Sequence, residues 1–137
     1  MVAETELLGR ALLAVGVGAL IGLEREIRRS PAGLRTHTLV CLGSALFTIA
    51  SITIGGNADI SRIAGQVAVG IGFLGGGVIF KLKDRVVGLT TAADLWVVAA
   101  LGLLIGIGQY LLVFVSLALV LFLLIGGAFL EKKGLHT

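Results

Sequence analysis

Residues 110–130 read YLLVFVSLALVLFLLIGGAFL, with Ser116 the one polar interruption before Gly126 and Gly127. A helix rises about 1.5 Å per residue, so this stretch is long enough to cross a hydrocarbon core about 30 Å thick. A helix apolar on every side leaves no face for water, and its solvent is lipid. Working outward, four more stretches qualify, about 7–23, 34–54, 63–82 and 89–108. The first is short and extends through its flanks by snorkelling. The expectation is an all-α integral membrane protein, one transmembrane domain of five helices over 1–137.

Composition agrees. Of 137 residues 57% are hydrophobic, a further 21 are glycine, and only 14% are charged, against about 25% charged in soluble domains. A soluble domain of this size buries only ~60–70% of its unfolded surface, too little to hide such a sequence. Cys41 is the sole cysteine, and His37 and His136 are the only histidines. A disulfide framework, a CxxC site and a His-rich zinc site are therefore excluded. No nucleophile–base pair is visible, so no enzymatic activity is expected. A cleaved signal peptide is not expected either. Glu4 and Glu6 precede the first span, and Glu24-Arg25-Glu26 stands where a small-residue cleavage site would lie.

Local signals set the boundaries. Ser30-Pro31 reads as a cap followed by a helix-starting proline, and Gly55-Gly56-Asn57 as a stop. Asp59 or Ser61 is placed to cap the third span. Thr91 and Asp94 have capping-box spacing, and Gly106-Ile107-Gly108 leaves almost no loop before Tyr110. Lys and Arg then set orientation. Nine (Arg25, Arg28, Arg29, Arg35, Lys81, Lys83, Arg85, Lys132, Lys133) fall on one side, and Arg10 and Arg62 on the other. The positive-inside rule puts the nine in the cytoplasm, with the amino terminus outside and the carboxy terminus inside.

Within the spans, His37, Cys41, Ser44, Thr48 and Ser51 share one face of the second helix. Such groups face protein or water, either as interhelical glue or as the lining of an ion path. Gly18/Gly22, Gly72/Gly76 and Gly102/Gly106 are GxxxG pairs, so spans one, three and four are expected to form the tight centre. The run Gly75-Gly76-Gly77 reads as close packing or as a helix break facing a cavity. Gly70-x-Gly72-x-x-Gly75 also matches the dinucleotide fingerprint, but it lies inside an apolar span with no sheet beside it, which removes that reading.

Asp94 is the one acid inside a predicted span, and it reads equally as a helix cap or as an interior carboxylate for a cation or an arginine. Gln66 is a second polar candidate. Glu24 and Arg28 are spaced to pair, and Arg35 is placed to reach Asp94 or Glu24. On the outer side Arg10 with Glu6 and Arg62 with Asp59 look like interface pairs. The candidate polar site is thus Asp94, Glu24, Arg35, His37, Cys41, Ser44, Thr48, Gln66, Thr90 and Thr91, with Asp94 the ligand if any metal is held.

In order, Gly22-Leu-Glu24-Arg25-Glu26, Ala32-Gly33-Leu34-Arg35-Thr36-His37, Gly43-Ser44-Ala45, Gly70-Ile-Gly72-Phe-Leu-Gly75 and Gly88-Leu-Thr90-Thr91-Ala92-Ala93 with Trp96 resemble the MgtC/SapB family of bacterial inner-membrane proteins. The resemblance implies five membrane helices, multi-pass placement in a bacterial or archaeal cell (inner) membrane, and a link to magnesium homeostasis, growth at low magnesium and virulence. It also implies, for some members, action by binding other membrane proteins, the rotary ATP synthase among them. Many members continue into a soluble cytoplasmic domain, and functions housed there do not carry over. Two expectations compete. One is a membrane protein that works through self-association, as a homodimer, or through membrane-protein partners. The other is a Mg2+ carrier or channel with a polar path through helices 2–4. Neither needs a cofactor, with Mg2+ only transported or sensed, and neither needs nucleic acid.

Overall fold

The computed structural model describes residues 3–54 and 60–132. Five helices form in order: α1 (Glu4–Ile27), α2 (Leu34–Ile54), α3 (Ile60–Val78), α4 (Leu89–Ile107) and α5 (Tyr110–Lys132). Four of them, all but α3, are long and apolar enough to cross a membrane. Arg62, Gln66 and six glycines dilute the apolar content of α3, although at 19 residues it equals α4 in length. The result is an all-α membrane fold.

Three boundaries differ from expectation. The third span was expected to reach Leu82, but α3 ends at Val78 and a small hairpin follows, β1 (Phe80–Leu82) against β2 (Arg85–Val87), with Lys81 opposite Val86. Lys83, Asp84 and Arg85 concentrate charge where the helix would otherwise run on. Pro31 does not start α2, which begins at Leu34 with its N–H held by the Glu26 carboxylate at 2.9 Å. A side chain from the preceding helix thus replaces the local Ser30 cap. Thr91 and Asp94 form no capping box, because α4 starts at Leu89 behind Gly88 in the left-handed region (φ +93°) without a side-chain cap. Ser61 lies inside the first turn of α3. The stop at Gly55-Gly56-Asn57, the Asp59 cap, the Arg62–Asp59 pair, Lys133 and His136 lie outside the described residues.

The tight α4–α5 turn forms as read. Gly108 (φ +87°) donates to the Ile105 carbonyl at 3.0 Å and Gln109 to that of Leu104 at 2.9 Å, a Schellman closure. Arg10 completes it. This guanidinium is buried and donates to the Gly106 carbonyl at 2.6 Å and to the Tyr110 hydroxyl at 3.2 Å, and it pairs with Glu6. A cation there satisfies an orphan carbonyl and opposes the negative end of the α4 dipole. Arg10→Met is therefore expected to destabilise the bundle by about 2 kcal/mol, and Arg10→Lys by less. Reversible unfolding in mixed micelles checks this, and equal stability of parent and Met variant would contradict it.

The centre of the bundle is α2 between α1 and α4, not the expected trio of spans one, three and four. A Cβ on Gly18 would lie 2.8 Å from the His37 carbonyl oxygen, and one on Gly22 2.8 Å from Leu34 Cα. On the other side, a Cβ on Gly102 would lie 2.3 Å from the Cys41 carbonyl oxygen, and one on Gly106 2.4 Å from Thr48 Cβ. Two helices each present a glycine pair to α2, and the backbones touch. In α3 only Gly75 meets a neighbour, Ala92, at an ordinary 3.6 Å, while a Cβ on Gly72, Gly76 or Gly77 would meet nothing within 4 Å. The glycine run does not break α3, which stays helical to Val78. Ile71 packs with Leu95 and Ala99 and so fixes α3 beside α4, while α5 contributes Val113, Leu117 and Leu124 to the main core.

Candidate functional site

On α1, buried positions recur at Arg10, Ala14, Val17, Gly18, Ile21, Gly22 and Arg25, a stripe at three- and four-residue spacing. Arg25 therefore points inward, seven residues beyond Gly18. On α2 the stripe His37, Cys41, Ser44 and Thr48 is buried, and on α4 Thr91, Asp94 and Leu95 are buried one turn from the helix start. The antiparallel run of α1 against α4 brings Arg25 and Asp94 to one end of the bundle, and the start of α2 adds His37.

The contacts form a chain of charge. His37 Nε2 lies 2.9 Å from Asp94 Oδ1, and His37 Nδ1 lies 2.8 Å from the Gly33 carbonyl oxygen. Arg25 Nε is 3.7 Å from Asp94 Oδ2 and donates to Glu24 Oε2 at 2.6 Å. Arg28 donates to Glu24 Oε1 at 3.0 Å, the expected i,i+4 pair. A carbonyl only accepts, so Nδ1 carries hydrogen and donates to Gly33. Nε2 then faces the Asp94 carboxyl, so one buried contact joins α2 to α4.

Asp94 Oδ2 is, among the described residues, the one buried side-chain polar atom without a hydrogen-bond partner. Arg25 faces it at ion-pair distance without bonding it, because its Nε is committed to Glu24. No group of three or more His, Cys, Asp and Glu able to hold a metal occurs among the described residues. Mg2+ usually takes one or two carboxylates and keeps several waters. Here Glu24 is neutralised by two arginines and Asp94 by His37 and Arg25, so a divalent cation would have to displace them.

The structure therefore joins Glu24, His37 and Asp94 through Arg25. The remaining candidates lie elsewhere. Arg35 reaches neither Asp94 nor Glu24. It is exposed and lines a groove between α2 and α3 together with Gln66 and Ser44. Cys41 and Thr48 pack against the α1 and α4 glycines, and Thr48 turns its hydroxyl back onto the Ser44 carbonyl at 2.9 Å. Thr90 is exposed and Thr91 buried. Arg25 and Arg10 are the residues the sequence reading used only as topology or interface charges. Extending the Gly18–Gly22 stripe by about two turns toward the amino terminus and one toward the carboxy terminus would have placed both inside.

A helical bundle with glycine-packed seams and a His–Asp–Arg–Glu chain at one end is that of a multi-pass membrane protein. Residues 11–133 match the family model described as MgtC family, and the chain belongs to that family. It is 50% identical over 109 residues to "Putative magnesium transporter YhiD" of Escherichia coli (strain K12), covering 72% of this chain and 49% of that protein. It is 51% identical over 92 residues to "Protein MgtC" of Brucella abortus (strain 2308), covering 67% and 39%. Against "Protein MgtC" of Salmonella typhimurium (strain LT2) it is 50% identical over 99 residues, covering 72% and 42%. The chain spans less than half the length of these relatives. No solved structure matches it.

Proposed function

We propose that this chain is a non-enzymatic membrane protein of magnesium homeostasis and low-magnesium adaptation that works by association, with itself or with other membrane proteins, in a bacterial or archaeal inner membrane. The names of the relatives support the link to magnesium. The nine-to-two split of basic residues supports a cytoplasmic basic end and an external amino terminus. One observation carries the associative reading. Gly65, Gly72 and Gly76 fall within about 40° of one α3 face, and a Cβ on any of them would meet nothing within 4 Å. Each glycine costs about 0.8–1 kcal/mol of helix propensity relative to alanine, with no packing inside the fold to offset it. Close approach by a helix from outside the chain supplies that packing. The Gly18/Gly22 pair is already occupied by α2, so α3 is the homodimer face.

Energy transfer between labelled copies in liposomes tests this. Self-association is expected, and Gly72→Leu with Gly76→Leu should weaken it at least about tenfold, a loss of roughly 1.4 kcal/mol. No transfer above the random-mixing level would remove the homodimer. The carrier reading rests on the buried Asp94 carboxylate. Liposomes loaded with a magnesium-sensitive dye should show no flux above protein-free vesicles. Flux that disappears in Asp94→Asn would establish the carrier instead.

A further inference from the structure

The seam between α2 and α3 differs from the others. Where α1, α2 and α4 touch backbone to backbone, α2 and α3 diverge around a groove of about 750 Å3. Its walls are mainly apolar, with Leu39 and Phe47 from α2 facing Val67 and Leu74 from α3, and Ser44 and Gln66 the polar exceptions between them. At its mouth, in the first turn of α2, stand Arg35 and Thr36.

Arg35 differs from its neighbours. Arg25 and Arg28, at the same end, are both held by Glu24. Arg35 is exposed, and among the described residues its guanidinium has neither an ion pair nor a hydrogen bond. From Arg35 to Phe47 the helix advances 12 residues, about 18 Å, a little over half of a ~30 Å hydrocarbon core. The groove therefore runs from the charged end of the bundle through about one leaflet, with a free cation at headgroup depth. Arg29, Lys81, Lys83 and Arg85 add positive charge at that end.

We propose that this groove binds one phospholipid with an anionic headgroup, its phosphate on Arg35 and one acyl chain laid along Leu39, Phe47, Val67 and Leu74. A guanidinium matches phosphate geometry with paired donors, and the basic end favours an anionic headgroup over a zwitterionic one. A second copy fits the mouth less well, because a parallel neighbour brings the same basic end. The Gly65–Gly72–Gly76 face points to the opposite side of α3, so the proposal does not depend on self-association.

Tryptophan quenching in lipid nanodiscs tests it, using Phe47→Trp in a Trp96→Phe background. Phosphatidylglycerol with brominated chains is expected to quench at about a fivefold lower mole fraction than brominated phosphatidylcholine. Arg35→Gln should reduce that ratio to near one, and Arg35→Lys should keep most of it. A Cβ on Gly70, which lines the groove, meets nothing within 4 Å. Gly70→Leu should therefore fill the groove, leave the unfolding transition in place and lower quenching by both lipids. Equal quenching by the two lipids in the parent, a preference that survives Arg35→Gln, or full quenching in Gly70→Leu would overturn the proposal. So would quenching that falls as protein is concentrated in the bilayer, which would put a second copy in the groove.

Discussion

Asp94→Ala is expected to destabilise the protein by about 3–5 kcal/mol, the usual cost of removing one partner from a buried ion pair. The reason lies in what is left behind. His37 Nε2 loses its only partner and Arg25 loses the second of its two carboxylates, both deep in the bundle. Asp94→Asn separates charge from shape. With Nδ1–H fixed on the Gly33 carbonyl, a neutral imidazole offers Nε2 as an acceptor, and an asparagine amide donates to it. Its carbonyl oxygen then faces Arg25 where Oδ2 stands now. The Asn variant should therefore keep more than half of what the Ala variant loses. Reversible unfolding in mixed micelles gives both numbers. An Ala variant as stable as the parent, or an Asn variant as damaged as Ala, would show that the buried chain does not hold the bundle together.

Gly102→Ala should cost about 3 kcal/mol, the upper end for overpacking. The new methyl meets the Cys41 carbonyl oxygen at 2.3 Å and Ser44 Cβ at 2.7 Å. One of these is backbone and cannot rotate away, so α2 and α4 must separate along a seam that Cys41, Ser44 and Thr48 now fill. Gly72→Ala and Gly76→Ala are the matched controls, the same substitution in the same motif with open space around it. Each should leave the monomer unchanged or stabilise it by up to about 1 kcal/mol. Unfolding at high dilution in detergent keeps the comparison monomeric. If Gly102→Ala behaved like Gly72→Ala, the central seam would not be where the structure places it.

The membrane class and all five helices were legible because hydrophobic length is a one-dimensional property, and only the end of the third was set too late. The turn at Gly108 followed from the run of residues alone, and the apolar run pointed to Leu34 as the start of α2 although Ser30-Pro31 pointed three residues earlier. The site was legible only in part. His37 and Asp94 stood out as rare polar types in apolar spans, but their pairing joins residues 57 apart, and spacing along one helix carries no information about that. GxxxG spacing marks helices able to pack closely without saying which partner they meet. It therefore placed α3 at the centre, where the stripe of small and polar residues on α2 actually sits. The hairpin after Val78 was hidden because Phe80 and Leu82 read as a continued span. Arg25 was hidden by its neighbours, since a run of charged residues looks like surface until the buried stripe of α1 is followed into it.

Arg10 and Arg25 lie on the same stripe of α1, 15 residues and about 22 Å apart, one hydrogen-bonded to the last turn of α4 and the other at ion-pair distance from Asp94, one turn in from its start. A rod pinned near both ends cannot slide. Shifting α1 past α4 by one helical pitch, about 5.4 Å, would break the Arg10 bond to the Gly106 carbonyl and draw Arg25 away from Asp94 at once. Piston strokes and screw rotations are thus closed to this pair, and α1 and α4 hold their register as one unit.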